Sequence, residues 1–192
     1  MNRLPNFLTI LRVILLIPIM LLLTNAQDAT TYQLAFGLFL MAALTDLLDG
    51  WAARHLNCVT PLGAFLDPLA DKIMSNVLLI FLSCHYPSII PLWMVLLLLA
   101  REFAVQGFRS MAACMGVMIR TELLSKLKTL FQLTAVGTVI ISFGWGSFAG
   151  IANYIALISL ILALTSGYFS MMMLFIRNTD LWSRRPLPME SR

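Results

Sequence analysis

Long apolar runs, separated by short polar, proline- or glycine-bearing breaks, organise the chain into six segments at residues 6–24, 32–54, 65–86, 91–114, 127–143 and 150–176. The runs lack the two-residue alternation of a barrel strand, so they predict helices. Asn25, Asp28, Pro87, Pro91 and the successive Gly144, Trp145 and Gly146 supply turn chemistry between them. About 20 apolar residues cross the roughly 30 Å hydrocarbon core of a bilayer, and each segment is close to that length. The pattern predicts an all-α integral membrane protein with six transmembrane helices. These form one domain over residues 1–176, followed by a polar cytoplasmic tail at 177–192.

Composition sharpens this reading. Of 192 residues, 60% are hydrophobic and 11% are charged, against about 25% charged in a soluble domain. So apolar a chain has no aqueous fold that could bury its side chains, and six crossings leave no length for a separate soluble domain. Met1, Asn2 and Arg3 ahead of an apolar run, with Thr24, Asn25 and Ala26 behind it, have the outline of a signal peptide. Arg12 interrupts that run and the rest of the chain is equally apolar, so a retained first span is expected.

Charge orients the spans. With the amino terminus in the cytoplasm, Arg3, Arg54, Arg120, Lys126, Lys128, Arg177, Arg184, Arg185 and Arg192 all fall at the inner face. The opposite loops, around Asp28, His85 and Gly146, contain no lysine or arginine. The positive-inside rule then makes both termini cytoplasmic. The net charge of +4 matters through this one-sidedness, which suits an anionic lipid surface. No basic–aromatic interleaving or nucleic-acid module is present, so no nucleic-acid partner is expected. No repeat relates the halves in the manner of an inverted-repeat transporter. Cys58, Cys84 and Cys114 have no metal or disulfide spacing and read as small packing residues. His55 and His85 read as interfacial residues.

Of nine acidic residues, four are Asp46, Asp49, Asp67 and Asp71. Positions three or four apart share a helical face, so each pair converges, and a short loop makes the two helices antiparallel neighbours. A lone charge at mid-membrane costs about 2.5–3.5 kcal/mol, and four like charges add repulsion. Divalent cations among them remove both penalties. An oxygen-only donor set suits Mg2+ or Mn2+ rather than zinc. The plainer reading, solvated carboxylates at a helix end, leaves two pairs in register unexplained. Gly50 and Ala53 leave a shallow surface where a planar group could approach. Arg54 can fork onto a phosphate, and Gly63 is a second close-approach position. Taken singly, these small residues more often mark helix packing.

The spaced string Asp46, Asp49, Gly50, Ala53, Arg54, Gly63, Asp67 and Asp71 resembles, without departure, the signature of the CDP-alcohol phosphatidyltransferase family. The resemblance implies that family's six-helix membrane fold, with a two-metal site between helices two and three and a CDP-linked lipid bound across it. It makes Asp46, Asp49, Asp67 and Asp71 the ligands of two Mg2+ or Mn2+ ions, with Asp71 as general base. Asn6, Thr9, Gly50, Ala53, Arg54, Thr60 and Gly63 would contact or accommodate the CDP-lipid, CDP-diacylglycerol. A homodimer in the bacterial inner membrane, with its active site facing the cytoplasm, is implied as well. A metal pair about 3.5–4 Å apart can neutralise a pyrophosphate and both the attacking and leaving oxygens. Attack at the β-phosphorus would release CMP without a covalent enzyme intermediate.

Other polar positions bear on the acceptor. Asn6, Thr9 and Arg12 form one stripe on the first segment, Arg101, Glu102 and Arg109 lie inside the fourth, and Lys126 and Lys128 open the fifth. Several cations near a metal–phosphate site favour a phosphorylated acceptor. Arg101 with Glu102 also reads as an internal ion pair, and the two lysines as interfacial anchors. Together with the stripe, these residues resemble the family branch whose acceptor is glycerol 3-phosphate. In that branch Arg109, Lys126, Lys128 and Arg101 would hold the acceptor phosphate. Inositol phosphate, serine and phosphatidylglycerol stay open as acceptors. A divalent-cation transporter using the same aspartates is the alternative from another class.

Overall fold

The structure is a computed structural model of the chain, describing the backbone of residues 4–56, 61–117, 119 and 123–179 and, among these, the side chains of 14–45, 72–117, 119 and 124–179. It is all-helical over the described residues. The helices are α1 (Leu4–Thr24), α2 (Ala29–Leu56), α3 (Pro61–His85), α4 (Leu92–Cys114), α5 (Leu123–Gly144) and α6 (Ala149–Arg177). A single 3-10 turn, Gly146–Phe148, precedes α6. Every boundary falls within four residues of the segment read from the apolar pattern.

The breaks arise from local chemistry. Pro91 caps α4 in an extended conformation, after a tight turn in which the amides of Ile89 and Ile90 both reach the Tyr86 carbonyl. At the far end of α4, Gly116 adopts a left-handed φ of 75°. The Val117 amide then donates to Ala112 O at 2.9 Å and the Gly116 amide to Ala113 O at 3.0 Å. That pair is a Schellman closure, which satisfies the last carbonyls and suits a residue without a Cβ. Pro18 is carried inside α1, which leaves one carbonyl of that helix without its intrahelical donor.

α1 packs on α2 and α3, α5 lies against α2, α3 and α6, and α4 bridges α3 and α6. The core between them is apolar, with Ile19, Leu78, Leu82, Leu98, Ile140 and Leu160 fully buried. Apolar side chains also cover the outside, while a few charged and polar ones are enclosed. Phe103 is 75% exposed and Tyr154 72%, whereas Arg101 is 2% and Gln132 1% exposed. A belt of outward apolar side chains of this extent is tolerated in lipid and not in water. Among the described residues, Leu124–Gly144 and Gly146–Arg177 are each long and apolar enough to cross a membrane. The chain is therefore membrane-associated.

One end of the bundle is closed by an aromatic clasp. Tyr32 at the start of α2 and Tyr86 just after α3 share a hydroxyl–hydroxyl hydrogen bond of 2.9 Å. The Phe143 ring lies 5.2 Å from Tyr32 and 4.3 Å from Tyr86. Gln33 Nε2 donates to Gly144 O at 2.9 Å. The turns that carry no lysine or arginine thus gather at one end. Cys84 and Cys114 correct the expectation of packing cysteines, because both are exposed free thiols; Cys58 lies outside the described residues, as do the tail beyond 179 and the side chain of His55. His85 stacks on Phe81 with centroids 4.1 Å apart.

Gly137 makes room on α5 for the Phe39 ring of α2. A Cβ there would stand 3.1 Å from Phe39 Cε1, whereas one at Gly37 would meet nothing within 4 Å. Gly137→Leu is expected to destabilise the bundle by about 1–3 kcal/mol through overpacking, and Gly37→Leu to leave it nearly unchanged. Thermal unfolding of the two variants in detergent checks the contrast.

Candidate active site

α4 carries three charged side chains, Arg101, Glu102 and Arg109, through an otherwise apolar helix. Glu102 lies at the junction of α3, α4 and α5. Its Oε1 accepts from Lys72 Nζ of α3 at 2.9 Å, and its Oε2 pairs with Lys128 Nζ of α5 and, at 3.5 Å, with Arg101 NH1. Lys72 also donates to Gln106 Oε1 of α4 at 3.1 Å. Arg101 turns its Nε to α6, donating to Gly167 O at 2.9 Å. Three helices thereby meet at one carboxylate, and Arg101 extends the tie to a fourth.

Burial makes the node consequential. The side chains of Arg101 and Lys128 are 2% and 3% exposed, Glu102 is 12% and Lys72 31% exposed. A buried ion pair gains its Coulomb energy only when hydrogen bonds also satisfy its remaining donors and acceptors. Among the described residues three cations share a single carboxylate, which leaves positive charge in excess there. Gly167 makes room for this arrangement: a Cβ would sit 3.4 Å from Lys128 Cγ and 3.6 Å from Arg101 Nε. Two further buried donors have no hydrogen-bond partner among the described residues, Arg109 Nε and Gln132 Nε2. Arg109 stands about 12 Å along α4 from Arg101, and Gln132 one turn beyond Lys128.

The sequence-predicted residues divide accordingly. Arg101 and Lys128 are brought together through Glu102, and Arg109 lies two turns on, half-buried. Lys126 is exposed; two residues from Lys128, it points to roughly the opposite side of α5. The side chains of Asp46, Asp49, Asp67 and Asp71 lie outside the described residues, as do those of Asn6, Thr9, Arg12, Ala53 and Arg54 and the whole of Thr60, whereas Gly50 and Gly63 are helical positions of α2 and α3. The backbone still relates the two acidic segments. α2 is helical through residues 46 and 49, and α3 through 67 and 71. Measured from the Tyr32–Tyr86 hydrogen bond, residue 46 lies about 21 Å along α2 and residue 71 about 22 Å along α3, at the 1.5 Å rise of an α-helix. They stand at matching heights, toward the end opposite the clasp, and residue 71 is followed directly by Lys72 of the ionic node.

Sequence reasoning missed Lys72, Gln106 and Gly167. Lys72 had a readable signal, a cation inside an apolar segment and adjacent to Asp71. Gln106 follows Glu102 by one helical turn and could have been read as sharing its face. Gly167 carries no signal beyond its size, because its use as an acceptor depends on which helix lies opposite.

The model of the family described as CDP-alcohol phosphatidyltransferase matches residues 2–176. The chain is 39% identical over 153 residues to the CDP-diacylglycerol–glycerol-3-phosphate 3-phosphatidyltransferase of Bacillus subtilis (strain 168), covering 73% of this chain and 78% of that one. The protein of the same name from Rickettsia typhi is 39% identical over 142 residues, with the same coverage. That of Salmonella choleraesuis is 33% identical over 159 residues, covering 79% of this chain and 85% of its own.

The two lysines of α5 should separate in a stability measurement. Lys128→Met strips Glu102 of a buried partner and is expected to cost about 3 kcal/mol. Lys126→Met changes an exposed site and should stay within about 0.5 kcal/mol. Unfolding midpoints in detergent that fall equally would contradict this division.

Proposed function

The chain belongs to the CDP-alcohol phosphatidyltransferase family, and on that premise we propose that it transfers a phosphatidyl group from CDP-diacylglycerol to glycerol 3-phosphate, forming phosphatidylglycerophosphate and CMP. The observation that carries the reading is the excess, among the described residues, of cations over anions around Glu102, beside the segment of α3 that contains Asp71. Such an excess suits a phosphorylated acceptor and would be costly without an anionic ligand. The names of the relatives support the same donor and acceptor.

In this reading Lys128, Arg101 and Arg109 hold the acceptor phosphate from the α4–α5 side, and Lys126 contributes at the exposed rim. The unpartnered Arg109 Nε is the donor such a phosphate would complete. The primary hydroxyl of glycerol 3-phosphate then lies toward α3. Asp71 accepts its proton as the oxygen attacks the β-phosphorus and the bond to the CMP oxygen breaks. Asn6, Thr9, Gly50, Ala53, Arg54, Thr60 and Gly63 would accommodate the CDP-lipid. Asp46, Asp49, Asp67 and Asp71 form an all-oxygen donor set that fits two hard divalent cations. Mg2+ or Mn2+ bound there would supply neutralisation of the pyrophosphate and of charge developing on the leaving group.

The same proposal extends to topology and assembly. Six membrane crossings, both termini in the cytoplasm and a cytoplasm-facing site are supported by the gathering of lysine- and arginine-free turns at the clasped end. Residues 1–176 are taken as the catalytic domain, and a homodimer is its assembly.

Purified protein in detergent, given CDP-diacylglycerol and Mg2+ or Mn2+, is expected to release CMP with glycerol 3-phosphate and not with serine, inositol phosphate or phosphatidylglycerol. Chelation with EDTA should abolish release, and added Mn2+ or Mg2+ should restore it. Release with another acceptor alone would overturn the assignment, and metal flux without CMP formation would favour a transporter. Asp71→Asn is expected to lose about 10²–10⁴-fold in kcat while unfolding at the wild-type temperature. Wild-type turnover in that variant would remove Asp71 as the base.

A further inference from the structure

The residue at the centre of the ionic node is an anion, although the node is read as a site for another anion. Glu102 cannot bind the acceptor phosphate, because like charges repel and both of its oxygens are already engaged, Oε1 by Lys72 and Oε2 by Lys128 and Arg101. We propose that Glu102 is a positioning residue for the acceptor, holding Lys128 and Lys72 in fixed orientations so that the cation pocket on α4 and α5 stands in register with Asp71 on α3. The proposal rests on the reading of the acceptor as a phosphorylated alcohol.

Two features of the geometry support it. A lysine ammonium has three donors on a flexible four-carbon stem. Among the described residues Glu102 takes one donor of Lys128, which leaves its others for a ligand, while the stem packs beside Gly167. Without its counter-ion, an ammonium only 3% exposed would turn away toward water. The second feature is the branch to Lys72. Its ammonium is gripped by both Glu102 at 2.9 Å and Gln106 at 3.1 Å, and it follows Asp71 directly in the chain. One carboxylate therefore anchors a phosphate-facing cation and, through a single peptide unit, the helical turn that bears the base. Positioning of this kind acts through other residues, so its signature is a selective change in the use of the acceptor.

The alternative role, simple charge balance, makes the opposite prediction. Removing the negative charge would strengthen the attraction for a dianionic phosphate and lower the acceptor KM. Steady-state kinetics of the full chain in detergent with CDP-diacylglycerol, Mg2+ and glycerol 3-phosphate distinguishes the two. Glu102→Gln is expected to raise the acceptor KM about ten-fold, equivalent to about 1.4 kcal/mol, with the CDP-diacylglycerol KM unchanged within about two-fold. Glu102→Asp keeps the charge on a shorter stem and should recover part of the loss. An acceptor KM that is unchanged or lower in Glu102→Gln, or equal increases for both substrates, would overturn the proposal. Should Glu102→Gln fail to fold, Lys72→Met removes only the arm to α3 at a partly exposed position. It is expected to raise the acceptor KM about three-fold and spare the donor KM, and an unmoved acceptor KM there would equally overturn it. The wild-type protein reports separately on the parent reading. If it releases CMP only with an acceptor lacking a phosphate, that reading and this one fall together; if it uses glycerol 3-phosphate and the variants behave as wild type, Glu102 alone is misassigned.

Discussion

A charge that leaves water must find a partner with good geometry, and in this bundle that requirement converges on one carboxylate. Outside it, the helices present apolar side chains to their surroundings, with Phe103 and Tyr154 the extreme cases. Inside it, Arg101 and Lys128 are buried as deeply as the core leucines Leu16 and Leu23. Those two facts are compatible only because Glu102 accepts from cations on α3, α4 and α5, and because Arg101 reaches the Gly167 carbonyl of α6. The relative placement of four helices therefore depends on electrostatic satisfaction as much as on apolar packing. In lipid this matters more than in water, because the medium gives little drive for one apolar helix to bury against another.

The remaining packing follows the same economy of space. Gly167 admits the Lys128 stem and the Arg101 guanidinium between α4, α5 and α6, and Gly137 admits the Phe39 ring between α2 and α5. Neither glycine is needed for an unusual backbone conformation, since both lie within helices. They are needed because close helix approach is where weak dispersion forces become large. At the opposite end, Tyr32, Tyr86 and Phe143 clasp α2, α3 and α5. A clasp at one end and an ionic node toward the other hold long helices in register at two separated points.

The helices were legible in the sequence because a continuous apolar run of about 20 residues admits few other structures in a bilayer. Turn chemistry at Pro91 and Gly144 located their ends. The ionic node was legible only in part. Arg101 and Glu102 stood out as intramembrane charges, yet adjacent residues on a helix point about 100° apart, and no spacing rule reveals that Glu102's main partners come from other helices. Lys72 was overlooked beside the conspicuous Asp71. Lys126 and Lys128 looked equivalent in sequence, whereas the helix turns one outward and the other into the bundle. Such distinctions are tertiary: they depend on which face of α5 meets α3 and α6. The exposed Cys84 and Cys114 make the same point in reverse, since small apolar residues in a membrane helix face lipid as readily as core.

The separation of Lys126 from Lys128 bears on how a water-soluble acceptor and a lipid donor could meet. An acceptor phosphate must shed most of its hydration to reach a site as enclosed as that around Lys128. Fixed dipoles and cations can replace that hydration only if they are oriented before the ligand arrives, since reorientation at the moment of binding would consume the energy gained. The node supplies such orientation, because its cations are already held by protein acceptors, Lys72 by Glu102 and Gln106, Arg101 by Glu102 and Gly167, and Lys128 by Glu102. Lys126, exposed near the start of α5, cannot share that enclosure. Its charge acts through water, where it can attract an anion to the entrance but is screened within about 10 Å at 0.1 M salt. Of two lysines two residues apart, one is thus suited to capture and the other to hold, and the difference follows from the helical period alone.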